Sequence, residues 1–347
     1  MYDVITIGTA TRDVFLTSPF FKTVSDPKHL KKIGFPTGEA QCFALGGKIE
    51  IGKPVFTTGG GATNAAVTFS RQKFKVAALV KIGGDKSAEN IISELEKENI
   101  IPLAIQERQN GTAFSMILLS PTGERTILVY RGASEDLKIQ EIPFNKIKSR
   151  WAYIVPGKIP FEIMAKIFDR LVKNETLIAF NPSKYYIEMG AGKIKPLLSK
   201  SKVVILNREE AAYLTGADYQ KEKEIFRRLD KIVFGIVAMT DGPKGVLVSD
   251  GRKIYKAGIF KNKKIVDRTG AGDAFGSGFI AGLIQKEENC DKGLCQPFNI
   301  EYAIRLGSAN AASVVERVGA KAGILTKDEF EKSERWRQFP VKIFNSI

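Results

Sequence analysis

The fold of this chain is decided by the stretch Asp267-Arg-Thr-Gly-Ala-Gly-Asp-Ala-Phe-Gly-Ser-Gly-Phe-Ile-Ala-Gly-Leu283. Ile265 and Val266 are predicted to close a strand, residues 269–272 to form a turn, and Asp273 to begin an apolar helix. The first amides of a helix have no internal partners and the helix dipole is positive there, so this turn is typical of a phosphate site. Asp273 would repel a bound phosphate, but it is well suited to take a proton from a hydroxyl that attacks the phosphate.

The composition is that of an ordinary globular protein. The 347 residues are 44% hydrophobic and 26% charged, and no run of about 18 apolar residues predicts a membrane span.

Residues 1–8 carry an acid where a signal peptide has positive charge, so we expect a first strand and no targeting segment. The sparse, odd set of Cys42, Cys290 and Cys295 has no CxxC spacing, which favours a cytoplasmic protein without a cysteine metal site.

The formal net charge of +15 is spread along the chain. Its clusters at residues 28–32, 193–202 and 252–264 are typical of solvated faces, although a positive field also favours a phosphate-rich ligand. No nucleic-acid-binding motif accompanies the charge, so we expect no nucleic-acid partner. The one histidine, His29, lies among lysines, and catalysis by histidine is not expected.

Strand and helix patterns alternate along most of the chain. The strand candidates are residues 4–8, 76–82, 153–155, 177–180, 203–206, 232–239 and 245–248. The helix candidates are residues 62–71, 87–99, 161–173, 209–214, 221–229 and 300–317. This alternation predicts an α/β fold with a doubly wound sheet flanked by helices.

Two β-rich pieces interrupt the alternation. The first, residues 14–56, lacks helical periodicity and has short strand candidates at 44–45 and 48–51. The second contains two β-prone runs, 112–119 and 125–130, joined by a predicted hairpin loop at 121–124.

We expect these two pieces to pair into one small sheet. The sheet, from about 13–56 and 108–132, would form a lid over a single domain that spans residues 1–347.

Five motifs resemble, in order, those of the ribokinase-like (PfkB) family of carbohydrate and nucleoside kinases. They are the opening stretch and, upstream of it, Thr58-Gly-Gly-Gly-Ala-Thr-Asn-Ala-Ala66, Val80-Lys-Ile-Gly-Gly-Asp85, Asn207-Arg-Glu-Glu210 and Thr240-Asp-Gly-Pro-Lys-Gly245. Their shared order makes the resemblance specific. It implies a ribokinase-like, mostly parallel sheet with a small β-sheet lid. It also implies transfer of the γ-phosphate of ATP to a hydroxyl of a sugar, with a nucleoside of the adenosine or cytidine type as the alternative acceptor.

The resemblance implies that Asp273 is the general base. By itself, an acid at this position also stabilises the helix dipole, by less than about 1 kcal/mol. The backbone amides of Gly270, Ala271 and Gly272 would hold the charge of the phosphoryl oxygens, because small residues allow close approach of the backbone.

Asn207 and Glu210 have two interpretations. Their spacing fits a capping box, with Asn207 as the N-cap and Glu210 at the third helical position. The resemblance implies instead that they order water around Mg²⁺ near the ATP phosphates.

The resemblance places ATP at the end of a strand near residue 239. Thr240, Gly242 and Gly245 are expected to contact its ribose and phosphates, since ligands bind at the carboxyl ends of strands in such sheets. Asn310 is expected to border the adenine, or else to pack its helix.

The resemblance implies that four residues bind the substrate: Asp13, Gly60, Gly61 and Asn64. A carboxylate can accept two sugar hydroxyls, and an amide can donate and accept. Ribokinases usually have a lysine where Gly61 stands. This difference weakens the expectation that ribose itself is the substrate. Arg131 could reach an acidic or phosphorylated substrate from the lid, or be a solvated arginine.

The resemblance also implies that Asp267 and Thr269 lie near a monovalent-cation site, which suggests activation by K⁺. The lid strands allow a homodimer.

The sequence argues against three other classes of protein. Residues 276–281 fit the GxGxxA pattern of dinucleotide-binding oxidoreductases, but they lie inside a helix with no strand just before it, which indicates helix packing. No GxxxxGK[ST] occurs, so a P-loop NTPase is not predicted. A binding protein without catalytic activity is opposed by the presence of Asp273, Asn207 and Glu210.

Overall fold

Long apolar runs form the strands of the protein, whose structure, a computed structural model, describes residues 1–35, 38–120, 125–261, 263–286 and 298–345. The strands of these residues are β1 (Tyr2–Gly8), β2 (Thr11–Thr17), β3 (Lys22–Ser25), β4 (Glu39–Cys42), β5 (Val55–Gly59), β6 (Val76–Gly83), β7 (Ile100–Glu107), β8 (Phe114–Leu119), β9 (Arg125–Tyr130), β10 (Ser149–Val155), β11 (Leu177–Phe180), β12 (Val203–Asn207), β13 (Ile236–Thr240), β14 (Val246–Ser249), β15 (Lys253–Ala257) and β16 (Val341–Asn345).

Amphipathic and small-residue segments form the helices. In the described ranges these are α1 (Pro27–Leu30), α2 (Gly61–Arg71), α3 (Lys86–Lys97), α4 (Phe161–Lys173), α5 (Lys184–Glu188), α6 (Gly190–Leu198), α7 (Arg208–Thr215), α8 (Glu222–Leu229), α9 (Ala271–Gln285), α10 (Ile300–Val314), α11 (Lys327–Lys332) and α12 (Glu334–Arg337).

The central sheet has ten strands in the order β16-β15-β14-β13-β12-β11-β10-β1-β6-β7. The seven strands from β13 to β7 are parallel, and β14, β15 and β16 are added in antiparallel fashion. Successive residues of β1 face opposite cores: Val4 packs in the core that contains Phe69 and Phe279, and Ile5 in the core that contains Phe168. Burial on both faces explains the continuous apolar runs and confirms the predicted doubly wound, mostly parallel sheet flanked by helices.

Helices α9 and α10 cross closely because small residues face each other. A Cβ on Gly282 would lie 2.6 Å from Ala303 Cα, and one on Gly278 would lie 3.0 Å from Gly307 Cα. The GxGxxA pattern of residues 276–281 lies within α9, where Gly278 packs against α10, as predicted, and Gly276 faces the hydroxyl of Tyr153 in β10.

A second sheet of four strands, the lid sheet, has the order β5-β2-β8-β9. Strand β2 pairs antiparallel with β5 and parallel with β8, and β8 pairs antiparallel with β9. The two β-rich pieces thus join in one sheet, as predicted. Strands β3 and β4 form a separate antiparallel pair.

One expectation about this region is wrong, and two others concern residues outside the described ranges. The short strands at 44–45 and 48–51 are wrong, because no strand occurs between Cys42 and Val55, where Gly46 has a φ of +72°. The hairpin loop at 121–124 lies outside the described residues, as do Cys290 and Cys295. The remaining cysteine, Cys42, is exposed and free.

The predicted strand at Ile265 and Val266 is also wrong. The amides of Val266 and Asp267 donate to the carbonyl of Val315, at 2.8 and 3.2 Å, just after α10. The place beside β15 is taken by β16 from the C-terminal end of the chain. The segment before the glycine turn is therefore held by a helix end instead of a sheet.

Within the described residues, no helix combines the length and the apolar character that crossing a membrane requires.

Candidate active site

Two clefts meet at the first turn of α9. The larger, the apolar cleft, has a volume of about 400 Å³ and is lined there by Ala271 and Gly272. The smaller, the lid cleft, has a volume of about 250 Å³, lies against the lid sheet and is lined there by Gly270 and Asp273. One helix N-terminus therefore faces both clefts.

The first turn of α9 is open to a ligand. Gly270 is its N-cap with a φ of +79°, and among the described residues no side chain caps the helix. Ala274 donates its amide to Gly270 at 2.8 Å, so the regular helical bonds begin after the turn. An uncapped helix end with small residues is suited to an anion.

Asp273 is held beside this turn by Asn64 of α2. Asn64 Nδ2 donates to Asp273 Oδ2 at 2.8 Å. Burial raises the pKa of the Asp273 carboxyl, the bond from Asn64 lowers it, and the charge of Asp13 raises it, so that the pKa lies above its ordinary value. The carboxylate is consequently a stronger base than a solvated one.

Asp13 enters the same cleft from strand β2. Its Oδ1 accepts a hydrogen bond from Thr11 Oγ1 at 2.8 Å. Burial raises the pKa of Asp13, and the bonds from Thr11 and Ser115 and the charges of Lys321 and Arg12 oppose that rise only in part. Asp13 and Asp273, which lie far apart in sequence, both line the lid cleft.

Two residues of the first motif line the lid cleft, and a third packs the start of α2 against the central sheet. Gly60 and Asn64 line the lid cleft, and Asn64 Oδ1 is buried without a partner among the described residues, which leaves it available to a ligand hydroxyl. Gly61 is not part of the lining. Its amide donates to Thr9 Oγ1 at 3.0 Å, and a Cβ there would lie 2.4 Å from Val155 Cγ1.

Asp267 joins the glycine turn to a loop that the sequence analysis did not identify. It is buried, and its two oxygens accept the amides of Thr269 at 2.8 Å and Gly319 at 3.0 Å. Ala320 of that loop packs against Gly270 and lines the lid cleft. The only sequence signal for this loop is its Gly-Ala pair after α10.

Lys321, the next residue of this loop, is another that the sequence analysis missed. It is 8% exposed, pairs with Glu94 Oε1 at 3.1 Å and donates to Thr58 Oγ1. Thr58 in turn donates to Glu94 Oε2 at 2.7 Å. Lys321 thus anchors the loop beneath the lid cleft, near Asp13.

Asp85, the last residue of the second motif, ties the lid to the central domain. Its Oδ1 accepts the amide of Ala88, which caps α3, and the hydroxyl of Thr112, at 2.9 and 2.6 Å. Its Oδ2 accepts the amide of Thr112 at 2.7 Å. Because Thr112 lies just before β8, one carboxylate holds the connection into the lid sheet, which is called the hinge below.

Replacing Asp85 with alanine should lower the free energy of unfolding by about 2–4 kcal/mol, because a helix cap is lost and the buried polar groups of Thr112 lose their partners. Urea unfolding would measure the loss. Asp26→Ala is the matched control, since Asp26 caps the exposed helix α1 with one amide bond and no hinge contact. Equal losses in the two variants would contradict the hinge role.

The apolar cleft is bordered by the turn after β13. Thr240, Gly242 and Gly245 line it, as the sequence analysis expected of a ligand site. Gly245 has a φ of +95°, and a Cβ there would lie 2.1 Å from the Ala257 carbonyl oxygen, so the turn requires glycine. Asp241 closes the turn by donating its amide to the Gly245 carbonyl at 2.8 Å.

Two side chains hold the carboxylate of Asp241 in place. It accepts bonds from Arg208 Nη1 at 2.8 Å and from the Tyr219 hydroxyl at 2.6 Å. Burial tends to raise the pKa of Asp241, but these partners outweigh it and the pKa is lowered. Arg208 and Tyr219 were not among the residues predicted from the sequence, although Arg208 lies within a motif.

Asn207 and Glu210 form the capping box that their spacing predicts. Asn207 Oδ1 accepts the Glu210 amide, and Glu210 Oε2 accepts the Asn207 amide, both at 2.8 Å. Neither residue lines the apolar cleft, but Asn207 is the register partner of Thr240, which does. Burial raises the pKa of Glu210.

Asn310 does not line the apolar cleft, although its helix α10 does. Its side chain is 1% exposed; Nδ2 donates to the Ala274 carbonyl at 2.9 Å, and Oδ1 accepts the Leu325 amide at 2.9 Å. The neighbouring Ser308 and Ala311 line the cleft instead. Asn310 is therefore a packing residue of α10.

A comparison with known proteins identifies the family of this chain. The family model for pfkB family carbohydrate kinases matches residues 36–327. An uncharacterized sugar kinase of Archaeoglobus fulgidus is 26% identical over 261 residues, which cover 74% of this chain and 97% of the relative. A cytidine kinase of Thermococcus kodakarensis is 28% identical over 276 residues, which cover 77% and 91%.

The fold is shared with solved structures. Arabidopsis thaliana ribokinase, solved in complex with ribose and ATP, matches with a TM-score of 0.74 at 16% identity, over 97% of this chain and 99% of that one. The family match covers most of the chain and confirms the resemblance seen in the motifs. The chain therefore belongs to the pfkB family of carbohydrate kinases and is a phosphotransferase.

Proposed function

We propose that this kinase transfers the γ-phosphate of ATP to a hydroxyl of a sugar. ATP would lie in the apolar cleft, with its phosphates at the first turn of α9, and the sugar would lie in the lid cleft. The observation that supports this arrangement is that Gly272 faces one cleft and Asp273 the other. The Arabidopsis relative was solved with both ribose and ATP.

In the proposed step, Asp273 accepts the proton of the sugar hydroxyl while its oxygen forms a bond to the γ-phosphorus. The bond between that phosphorus and the bridging oxygen breaks, and ADP leaves. The Asn64 amide orients the carboxylate of Asp273 through its 2.8 Å bond. The amides of Gly270, Ala271 and Gly272 would stabilise the charge of the transferred group.

Asp13 would bind other hydroxyls of the sugar, and Asn64 Oδ1 would accept one more. Asp13 lies close against β5, since a Cβ on Gly59 would lie 1.9 Å from Asp13 Oδ2. Because Asp13 belongs to β2 of the lid sheet, closing of the lid would bring its carboxylate onto the substrate.

Asn207 and Glu210 fit a Mg²⁺ ion that is held through water. Within the described residues no three Asp, Glu, His or Cys side chains converge as direct metal ligands, and Mg²⁺ commonly keeps several waters. The capping box places an acid and an amide one strand away from Thr240. When bound, the ion would neutralise charge on the ATP phosphates.

Asp267 and Thr269 fit a site for K⁺. Thr269 Oγ1 is buried without a partner among the described residues, next to the buried carboxylate of Asp267. We expect activity to be higher in K⁺ than in Na⁺ or choline buffers of equal ionic strength. Equal rates in the three buffers would contradict the site.

A nucleoside kinase is the second candidate, and one observation favours it. Ile117, Ile127 and Val129 form an aliphatic wall on the lid side of the lid cleft, which would suit a flat base. The Thermococcus relative is a cytidine kinase. Phosphate transfer would proceed in the same way in both cases.

ADP release from ATP, measured with a panel of sugars and nucleosides, tests the proposal. We expect turnover with at least one sugar, and a preference for cytidine or adenosine would favour the second candidate. If no acceptor stimulates ADP release although ATP binds, the proposed function is wrong.

We propose three further properties. The chain would act as one kinase domain over residues 1–347, with the lid from 13–56 and 108–132, in the cytoplasm. It would form a homodimer through the outer face of the lid sheet, where Phe56, Leu128 and Tyr130 are exposed. The mass in solution would test the dimer.

A further inference from the structure

The cleft-facing side of the lid sheet has an acidic residue on one strand and a basic residue just beyond another. Asp13, Ser115 and Val129 are register neighbours across β2, β8 and β9, and all three line the lid cleft. Arg131 follows directly after β9, two residues beyond Val129, and also lines the cleft. With strands about 4.8 Å apart and about 3.4 Å per residue, Asp13 and Arg131 are separated by about 12 Å at their Cα atoms.

Arg131 is incompletely neutralised. Its Nε lies 3.2 Å from Glu135 Oε1, and Lys158 Nζ lies 3.3 Å from the same oxygen. Glu135 is the only carboxylate that pairs with either cation in the described part of the chain, and the terminal amino groups of Arg131 have no hydrogen-bond partner there. Two cations therefore share one acid, which leaves a net positive charge at the mouth of the cleft.

Lys158 also lets Arg131 turn towards a ligand at low cost. If the guanidinium leaves Glu135, the ammonium of Lys158 still neutralises that carboxylate. The side chain of Arg131 is 41% exposed, so it is free to move. A guanidinium is the cation that pairs best with planar carboxylates and with phosphates, because it donates two parallel hydrogen bonds.

We propose, on the basis of the proposed function, that the lid cleft takes an anionic monosaccharide and that Arg131 binds its charged group. The anion is the carboxylate of a sugar acid or the phosphate of a sugar monophosphate. The neutral hydroxyls face Asp13 and Asp273, and the anion lies at the opposite end of the molecule. Asp13 and Arg131 are about 12 Å apart at their Cα atoms, so an anion paired with Arg131 lies away from the Asp13 carboxylate.

The test compares anionic sugars with neutral counterparts: gluconate with glucose, and fructose 6-phosphate with fructose. ADP release gives kcat and KM, and calorimetry gives the affinity without turnover. The variants are Arg131→Gln, Glu135→Gln and the matched control Arg125→Gln. Arg125 lies at the far end of the same strand and outside the cleft lining.

We expect Arg131→Gln to raise KM for the anionic substrate by about 10- to 100-fold, the effect of losing a charged hydrogen bond. Its kcat, and KM for the neutral counterpart, should change by less than about 3-fold. Glu135→Gln should lower KM for the anion, because Arg131 then has no competing acid. Arg125→Gln should leave every value unchanged. The gluconate and fructose 6-phosphate arms decide between carboxylate and phosphate.

The inference is overturned if the wild type prefers the neutral sugars, or if Arg131→Gln weakens both classes equally. It is also overturned if no anionic sugar binds in calorimetry. Binding that depends on Arg131 without ADP release would uphold the inference and contradict the proposed function instead. Turnover of neutral sugars alone would uphold the proposed function and overturn the inference.

Discussion

Asp273→Asn should lower kcat by about 100- to 10,000-fold, the usual contribution of a general base. Asparagine has the same shape, and its carbonyl oxygen can still accept the bond from Asn64 Nδ2. ATP affinity, measured by calorimetry, should therefore stay within about 3-fold, because the affected step is proton transfer and not binding. Asp169→Asn on α4, which removes an exposed acid of the same kind, is the matched control.

The pH dependence of the wild type adds a second measurement of the same group. Burial raises the pKa of Asp273 and Asp13 adds to the rise, whereas Asn64 lowers it, with a net shift upward. Since the base must be ionised, kcat/KM should fall as the pH drops through that raised pKa, above the ordinary range of a carboxyl. Near-normal turnover of Asp273→Asn, with the same acid limb, would contradict the assignment.

The fold was largely predictable because its strands and helices carry strong local patterns. Residues 177–180 and 161–173 form β11 and α4 with the predicted bounds, since a buried parallel strand is apolar throughout and α4 has one apolar face. The errors lie where partners are distant. Ile265 and Val266 have strand-forming side chains, but their place at the sheet edge belongs to β16, some 80 residues later.

The site was predictable as a set of residues but not as a geometry. A pattern of letters does not contain the 2.8 Å contact between Asn64 and Asp273, nor the shared cleft with Asp13. A sequence pattern also cannot decide which of two roles one side chain has. Asn207 satisfies its capping box, and Asn310 turned out to pack α10 because its donors and acceptor are satisfied inside the protein.

Residues that support the site were missed for the same reason. Lys321 and Gly319 act through partners that lie more than 50 positions away in sequence, Thr58 and Asp267 respectively. Asp85 was part of a motif, but only the structure shows that it fixes the lid hinge through Thr112.

The second large effect is expected from Gly270→Ala. Gly270 has a φ of +79°, which costs an alanine about 1–2 kcal/mol. The new Cβ would lie 2.4 Å from Ala320 Cβ and 2.8 Å from Ala320 Cα, so backbone must move, at a further cost of about 1–3 kcal/mol. We expect a loss of about 2–5 kcal/mol in urea unfolding, together with loss of activity, because the turn and the lid cleft are displaced together.

Gly272→Ala separates the role of the turn in catalysis from its role in folding. A Cβ on Gly272 meets nothing within 4 Å, and the residue lies within α9, so stability should stay the same or rise by up to about 1 kcal/mol. The methyl group would nevertheless project beside the amides proposed to hold the phosphates, since Gly272 lines the apolar cleft. Losing one such contact should lower kcat/KM for ATP by at least about 10-fold. A stable Gly272→Ala enzyme with wild-type ATP kinetics would mean that the phosphates do not approach this turn, even if Gly270→Ala is inactive.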